Sequence, residues 1–369
     1  MTRSADTPTP DAPLRCGYTT GACAAAAAKG AVQMLVCQQT ATQASITLPG
    51  GNNADFELHG QCFTTGSATC FVVKDAGDDP DVTNGVEVRA TVTTTPPPDA
   101  AIDIIGGVGI GRVTKPGLAV PPGEWAINPV PRRMIEQAVR SIAPTGSFRV
   151  AISIPDGAER AKKTLNERLG IMGGLSILGT TGIVRPVSAK AWIDTIDAAL
   201  DVARACGCAT VVLSTGRTSE SAAQSLFMAH GGDGHAPLAE EAFVMMGDHI
   251  AHAVRAAALR GFHEPLIACQ FAKLLKIACG HANTHAAASQ LDLAQLLAWA
   301  RDGRLPASLQ EQLVHAHTAR EAVIASGFSP ALLEMVARRA GTAAAAHSPE
   351  SRCRFLVCGY EGQPAWLSK

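Results

Sequence analysis

At 369 residues the chain is long for one hydrophobic core, which predicts two domains. Its 47% hydrophobic and 17% charged residues give ample material to bury, and a formal charge of −1 with 4% aromatic content excludes the basic, stacking surface of a nucleic-acid binder. No run approaches about 18 uninterrupted apolar residues, and the start, MTRSADTPTPDAPLR, lacks the apolar centre of a signal peptide, so neither membrane nor export is expected and the chain reads as cytoplasmic.

Residues 1–14, rich in Thr, Pro and Asp, are expected to be disordered. Thr20 can cap an Ala-rich helix over Gly21–Cys37, whose small side chains suit close packing on a sheet. β-forming runs follow at Ala44–Leu48, Ala68–Lys74, Val86–Thr94 and Ile102–Ile105, and the breakers AGDDPD (Ala76–Asp81) and TTTPPPD (Thr93–Asp99) stand among them. Pro131 opens a helix to Ile142, and Phe148–Ile154 alternates as a strand. Residues 15–183 therefore read as an α+β domain with antiparallel pairing.

Residues 184–369 alternate helix and strand. Ser188 can cap a helix through Ala205; strand Thr210–Ser214, helix Glu220–His230, strand Phe243–Met246, helix Asp248–Arg260, strand Leu266–Cys269 and helix Ala272–Ala278 follow. Helical stretches at Leu291–Arg301, Pro306–Ala325 and Pro330–Arg339 precede a last strand, Phe355–Cys358. This is the βαβ grammar of a parallel, doubly wound α/β sheet with a helical C-terminal part.

Ligands of such sheets bind beyond the carboxyl ends of the strands. There, Thr215 and Gly216 of TGRTSE either present backbone amides at a helix start or form a plain turn. Asp248 of MGDHI either accepts from ribose hydroxyls or caps its helix, and QFAKLLK follows the strand ending at Cys269. In HANTH, His281 and His285 have i, i+4 spacing but no Glu and no third ligand, so a cap built from Asn283 and Thr284 is favoured over a metal, and His249 with His252 reads the same way. The eleven cysteines include no CxxC; Cys16, Cys23, Cys37, Cys269 and Cys279 sit among Ala or apolar residues and read as reduced packing thiols.

Leu165–Pro186, LNERLGIMGGLSILGTTGIVRP, sets Gly170, Gly173, Gly174, Gly179 and Gly182 among apolar β-formers. Such a cluster calls for positive φ angles, close approach to a ligand or a hinge, and it matches no generic phosphate loop. With RCGYTTGACAAAAAKGA (Arg15–Ala31), DAGDDPDVTNG (Asp75–Gly85), GGVGIGRVTKPGLAVPPGEWAINPVPRRMI (Gly106–Ile135), MGDHI and HANTH, it resembles the signature blocks of the CbiD family, in family order.

The resemblance implies methyl transfer from S-adenosylmethionine to carbon 1 of a cobalt-containing corrin precursor, on a fold with one part like domain 2 of ribosomal protein S5 and one Rossmann-like. Cobalt would arrive with the substrate, so no protein metal site is expected. In-line transfer to an activated ring carbon asks for alignment and exclusion of water, with no protein nucleophile. The cofactor is expected at Thr215, Gly216 and Asp248, with Gly179, Thr180, Thr181 and Gly182 nearby across a domain cleft. Corrin carboxylates are expected to meet Arg112, Lys115, Arg132 and Arg133, and Thr19 and Thr20 join the substrate set. Asp78–Asp81 either line the cleft or shape turns. The chain departs from the family at STGRTSE, where a Pro-Gly-Asn-type turn is usual, and at Ala251, often Gly. A non-catalytic corrinoid carrier and a small-molecule kinase with an S5-like domain are the alternatives; a homo-oligomer is allowed.

Overall fold

The computed structural model describes residues 14–95, 101–227 and 236–368. The expected disorder of residues 1–13, the end of TTTPPPD and the end of the helix drawn to His230 lie outside them. By internal contacts the chain divides into two units, Met1–Ser188 and Ala189–Lys369.

The first unit runs β1 (Gly17–Tyr18), α1 (Thr20–Cys37), β2 (Gln43–Thr47), β3 (Asn53–Glu57), β4 (His59–Phe63), β5 (Ser67–Val73), β6 (Glu87–Thr94), β7 (Ile102–Gly106), β8 (Arg112–Val113), α2 (Pro129–Ile142), β9 (Phe148–Ser153), α3 (Gly157–Ala161), β10 (Ile171–Met172) and β11 (Ile183–Val184). Its main sheet has the order β4-β5-β6-β9-β7. Pairing is antiparallel as expected except at β7, which lies parallel to β9. Helix α1 packs on β5, β6 and α2. By length and composition α1 could cross a membrane, yet Ala22–Ala28 are fully buried in the unit's own core. Burial on nearly every side is why, after its first turn, its sequence carries only Lys29 and Gln33 as long polar side chains, both half-buried. Its small residues serve close approach: a Cβ on Gly30 would stand 2.3 Å from Leu58 Cδ1. The N-cap is Thr19, whose hydroxyl accepts from Ala22 N at 3.2 Å, one residue earlier than Thr20.

The second unit runs α4 (Ala189–Ala205), β12 (Val212–Ser214), α5 (Arg217–Phe227), β13 (Phe243–Met245), α6 (Ile250–Leu259), β14 (Leu266–Cys269), α7 (Phe271–Ala278), α8 (Leu293–Asp302), α9 (Ala307–Val314), α10 (Ala319–Ala325), α11 (Pro330–His347), β15 (Arg354–Cys358) and β16 (Pro364–Leu367). The sheet order is β13-β12-β14-β15-β16, all parallel but β16. Strands step one way from β12 to β13 and the other way from β12 to β14, so β12 ends at the reversal point of a doubly wound sheet. One face is covered by apolar residues of α4, α6, α7 and α11, the other by α5. The stretch drawn as one helix over Pro306–Ala325 is two, because Thr318 and Glu321 form a capping box that restarts the chain as α10.

Candidate functional site

In the first unit the glycines of two sequence blocks, Gly106–Ile135 and Leu165–Pro186, make one tightly braided layer. Leu175 N donates to Gly109 O and Gly111 N to Leu175 O, both at 2.9 Å; Ala126 N reaches Gly111 O at 2.8 Å and Asn128 N reaches Ile177 O at 2.9 Å. Side chains are excluded at the crossings: a Cβ on Gly109, at φ +74, would lie 1.8 Å from Ile154 O, and one on Gly174 would lie 2.3 Å from Gly109 O. These glycines answer to backbone approaching backbone.

The Gly179–Gly182 turn is strapped to the start of α1. Thr19 N donates to Gly182 O at 3.0 Å, Gly21 N donates to Leu178 O at 3.0 Å, and Leu178 N donates to Thr20 Oγ1 at 3.0 Å. Thr19 and Thr20 are both buried; the Thr20 hydroxyl serves this junction and the Thr19 hydroxyl caps α1. Thr180 and Thr181 are exposed on it.

The four cations differ. Arg112 is exposed, with its guanidinium 4.0 Å over the Trp125 ring and donating to Gly123 O. Trp125 itself rests on Gly106, where a Cβ would meet Cε3 at 2.4 Å. Lys115 Nζ donates to Arg168 O at 3.3 Å. Arg132 is a brace inside the unit, donating at 3.0 Å to both Ile127 O and Ile104 O. Arg133 is exposed.

The acidic block also shapes its own loop. Asp75 and Asp78 hold Arg15, and Asp81 binds the fully buried Lys74 at 2.6 Å and caps Thr83 N at 2.7 Å. Asp79 accepts from Val187 N at 2.9 Å. Burial would raise the Asp81 pKa, but the hydrogen bonds from Lys74 and Thr83 prevail and lower it.

In the second unit, Thr215 N donates to Ala268 O at 3.0 Å, and the Ser219 hydroxyl accepts from Gly216 N at 3.1 Å and closes the turn into α5. Met246 N and Gly247 N both donate to Ser214 O, at 2.8 and 3.2 Å. The Ser214 hydroxyl is fully buried with no partner among the described residues.

Asp248 does not cap α6, whose N-cap position is His249. Its Oδ1 accepts from Thr284 Oγ1 at 2.6 Å and from Lys273 Nζ, and its backbone carbonyl accepts from Thr284 N at 3.0 Å. Lys273 and Lys276 Nζ both donate to Thr284 O, at 3.0 and 3.1 Å. MGDHI and HANTH are therefore one structure, and the lysines of QFAKLLK, absent from the expected site set, complete it. Asn283 caps the HANTH turn by accepting from His285 N at 2.8 Å.

No group of three or more metal-ligating side chains occurs among the described residues. None of the eleven cysteines is in a disulfide; Cys23 and Cys269 are buried and Cys279 partly so, but Cys16 and Cys37 are exposed and do not act as packing thiols. Burial pushes the Cys23 thiol up to about 12. A concave surface lined by Glu264, Thr342, Ser351 and Arg354 lies at the amino ends of β14 and β15, the end that α/β sheets do not use for ligands.

The class so defined is a two-unit, mixed α/β protein. The chain belongs to the CbiD family: residues 7–186 match CbiD, and residues 283–369 match the CbiD C-terminal domain. It is 60% identical over 372 residues to the cobalt-precorrin-5B C(1)-methyltransferase of Pelobacter propionicus, with 95% of each chain covered. The protein of that name from Geobacter sulfurreducens is 55% identical, covering 94% of this chain and 97% of that one. A 1.9 Å crystal structure of the cobalamin biosynthesis protein CbiD from Archaeoglobus fulgidus is 29% identical, covers 71% of this chain and 78% of that one, and superposes with a TM-score of 0.37.

Proposed function

We infer that the chain is an enzyme that methylates carbon 1 of cobalt-precorrin-5B to give cobalt-precorrin-6A in anaerobic cobalamin biosynthesis, with S-adenosylmethionine as donor. The observation that carries this reading is the 60% identity across 95% of both chains to a relative bearing that name. At such coverage both units are shared, so the likeness is not confined to a common fold.

In this reading the ring carbon attacks the sulfonium methyl, the carbon–sulfur bond breaks, and the electron pair leaves with S-adenosylhomocysteine. The protein's task is to align the partners and exclude water. We assign the donor to the carboxyl edge of the Rossmann-like second unit, around Thr215, Gly216 and the Asp248 cluster. Support comes from the strand-order reversal at β12 and from the unpartnered Ser214 hydroxyl at its end. The corrin carboxylates we assign to the S5-like first unit, to the exposed Arg112 and Arg133 and to Lys115. Arg132, Thr19 and Thr20 are taken up by the fold and act there only by shaping it. The kinase alternative needs GYTTGACA free for phosphate, which the internal bonds of Thr19 and Thr20 disfavour. The protein is expected to work in the cytoplasm.

The test is to incubate purified protein with cobalt-precorrin-5B and S-adenosylmethionine carrying an isotopically labelled methyl. Labelled methyl on the corrin with an equal amount of S-adenosylhomocysteine is the expected result. A corrinoid that binds and is never methylated identifies a carrier and overturns the proposal.

A further inference from the structure

We propose that Lys273 and Lys276 form a carboxylate seat at the carboxyl end of the parallel sheet; the inference rests on the reading of that edge as a substrate-facing site. Asp248 follows β13, Lys273 stands on α7 just after β14, and both strands pair with β12. Their ion pair thus joins the segments leaving the two strands that flank the reversal point. The sequence reads Asp248 either as an acceptor for ribose hydroxyls or as a helix cap. In the structure its Oδ1 is already occupied, and the local charge has the opposite sign.

The charge count carries the argument. Two ammonium groups converge on one carbonyl oxygen, Thr284 O, at 3.0 and 3.1 Å, and the carboxylate of Asp248 is bound to Lys273 alone. His285, the other titratable group that bears on Asp248, brings no negative charge. One positive charge is left without a counter-charge among the described residues. Lys276 is only 7% exposed and has a single acceptor, Thr284 O, for its three N–H groups. Burial lowers its pKa, Lys273 adds to the effect, and Asp248 opposes it. A buried ammonium is costly without a paired anion, and a carboxylate arriving beside Lys273 would supply one. Lys273, whose side chain is 28% exposed, offers the reachable donor, with the charge of Lys276 behind it.

Two sources fit this chemistry: the amino-acid carboxylate of the methyl donor, and an acetate or propionate of the corrin. Calorimetric titration of wild type, Lys273→Gln and Lys276→Met separates them, with S-adenosylhomocysteine, 5′-methylthioadenosine, which lacks the amino-acid group, and cobyrinic acid as probes. With the donor as source, Lys273→Gln weakens S-adenosylhomocysteine about tenfold or more and leaves 5′-methylthioadenosine unchanged. A like loss confined to cobyrinic acid assigns the seat to the corrin. Unchanged affinity for both carboxylate probes in Lys273→Gln, folded as judged by its melting temperature, overturns the seat even if Lys276→Met fails to fold. Wild type that binds neither carboxylate probe overturns the methyltransferase reading and the seat together, a failure visible before any variant is made.

Discussion

The Thr284 hydroxyl donates to Asp248 Oδ1 at 2.6 Å while the Thr284 N–H donates to the Asp248 carbonyl at 3.0 Å, so side chain and backbone bind the same pair twice. Two short blocks, 36 residues apart at these positions, are fixed against each other by this double contact, and Lys273 fills in between them.

Replacement of Asp248 by Asn should therefore cost stability with a defined pH dependence. Burial alone would raise the carboxyl pKa, but hydrogen bonds from Lys273 and Thr284 outweigh it and leave it lowered. A folded-state pKa below the unfolded value of about 3.9 gives stability that is present above that value and lost as pH falls through the folded pKa. Asp248→Asn should lose about 1–3 kcal/mol at pH 7, and the gap to wild type should narrow below about pH 4. Urea unfolding at both pH values checks this; a gap independent of pH contradicts it.

Lys74 is 1% exposed and its partner Asp81 is 25% exposed, so the two variants of this pair should behave differently. Asp81→Asn leaves a buried ammonium facing an amide, at a cost of about 3–5 kcal/mol. Lys74→Met combined with Asp81→Asn removes the stranded charge and should recover part of that loss. The comparison is made by denaturant midpoints, and a double variant no more stable than Asp81→Asn would remove the stranded charge as the cause.

The glycines divide into those set by contact and those set by φ alone. Gly109→Ala combines φ +74 with a Cβ 1.8 Å from Ile154 O, and should cost more than about 3 kcal/mol. Gly173→Ala has φ +82 but nothing within 4 Å, and should cost about 1–2 kcal/mol. Equal losses in thermal unfolding would mean that the braided layer yields more easily than its geometry requires.

Period and punctuation made much of this architecture readable. The strand at Leu266–Cys269 and the helix starting at Pro330 stand where apolar runs and a proline put them. Strands β3 and β4 were not readable, because NADFE and HGQCF lack the β-branched residues that mark a strand, and β3 is held by the inward Ala54 and Phe56 opposite β2. The α9–α10 break was available from Thr318-x-x-Glu321. Lys273 and Lys276 escaped the site set for a different reason: their partner Thr284 comes from a later segment, and local spacing does not report which loops a sheet brings together. Arg132 illustrates the converse. Its setting among prolines resembled that of an exposed anion binder, and only the fold turns its guanidinium onto two backbone carbonyls.

Thiol reactivity should separate the exposed cysteines from the packed ones. Cys16, Cys37, Cys62 and Cys206 are exposed and should react with Ellman's reagent at pH 8 within the first, fast phase. Cys23 and Cys70, pushed up to about 12 by burial, should react only on unfolding. A fast phase that includes Cys23 or Cys70 by peptide mapping would contradict their burial against β5 and α1.

Arg112 and Arg132 should part company when each is replaced by Met. Arg132 supplies charged donors to Ile127 O and Ile104 O, so its loss should cost about 2–3 kcal/mol. Arg112 is exposed and holds the Trp125 ring from outside, an interaction worth about 0.5–1 kcal/mol. The two variants should therefore order oppositely in two measurements: Arg132→Met the less stable to urea, Arg112→Met the weaker binder of cobyrinic acid among folded proteins. The reverse order in urea would make Arg112 the structural residue and return Arg132 to the corrin-binding set.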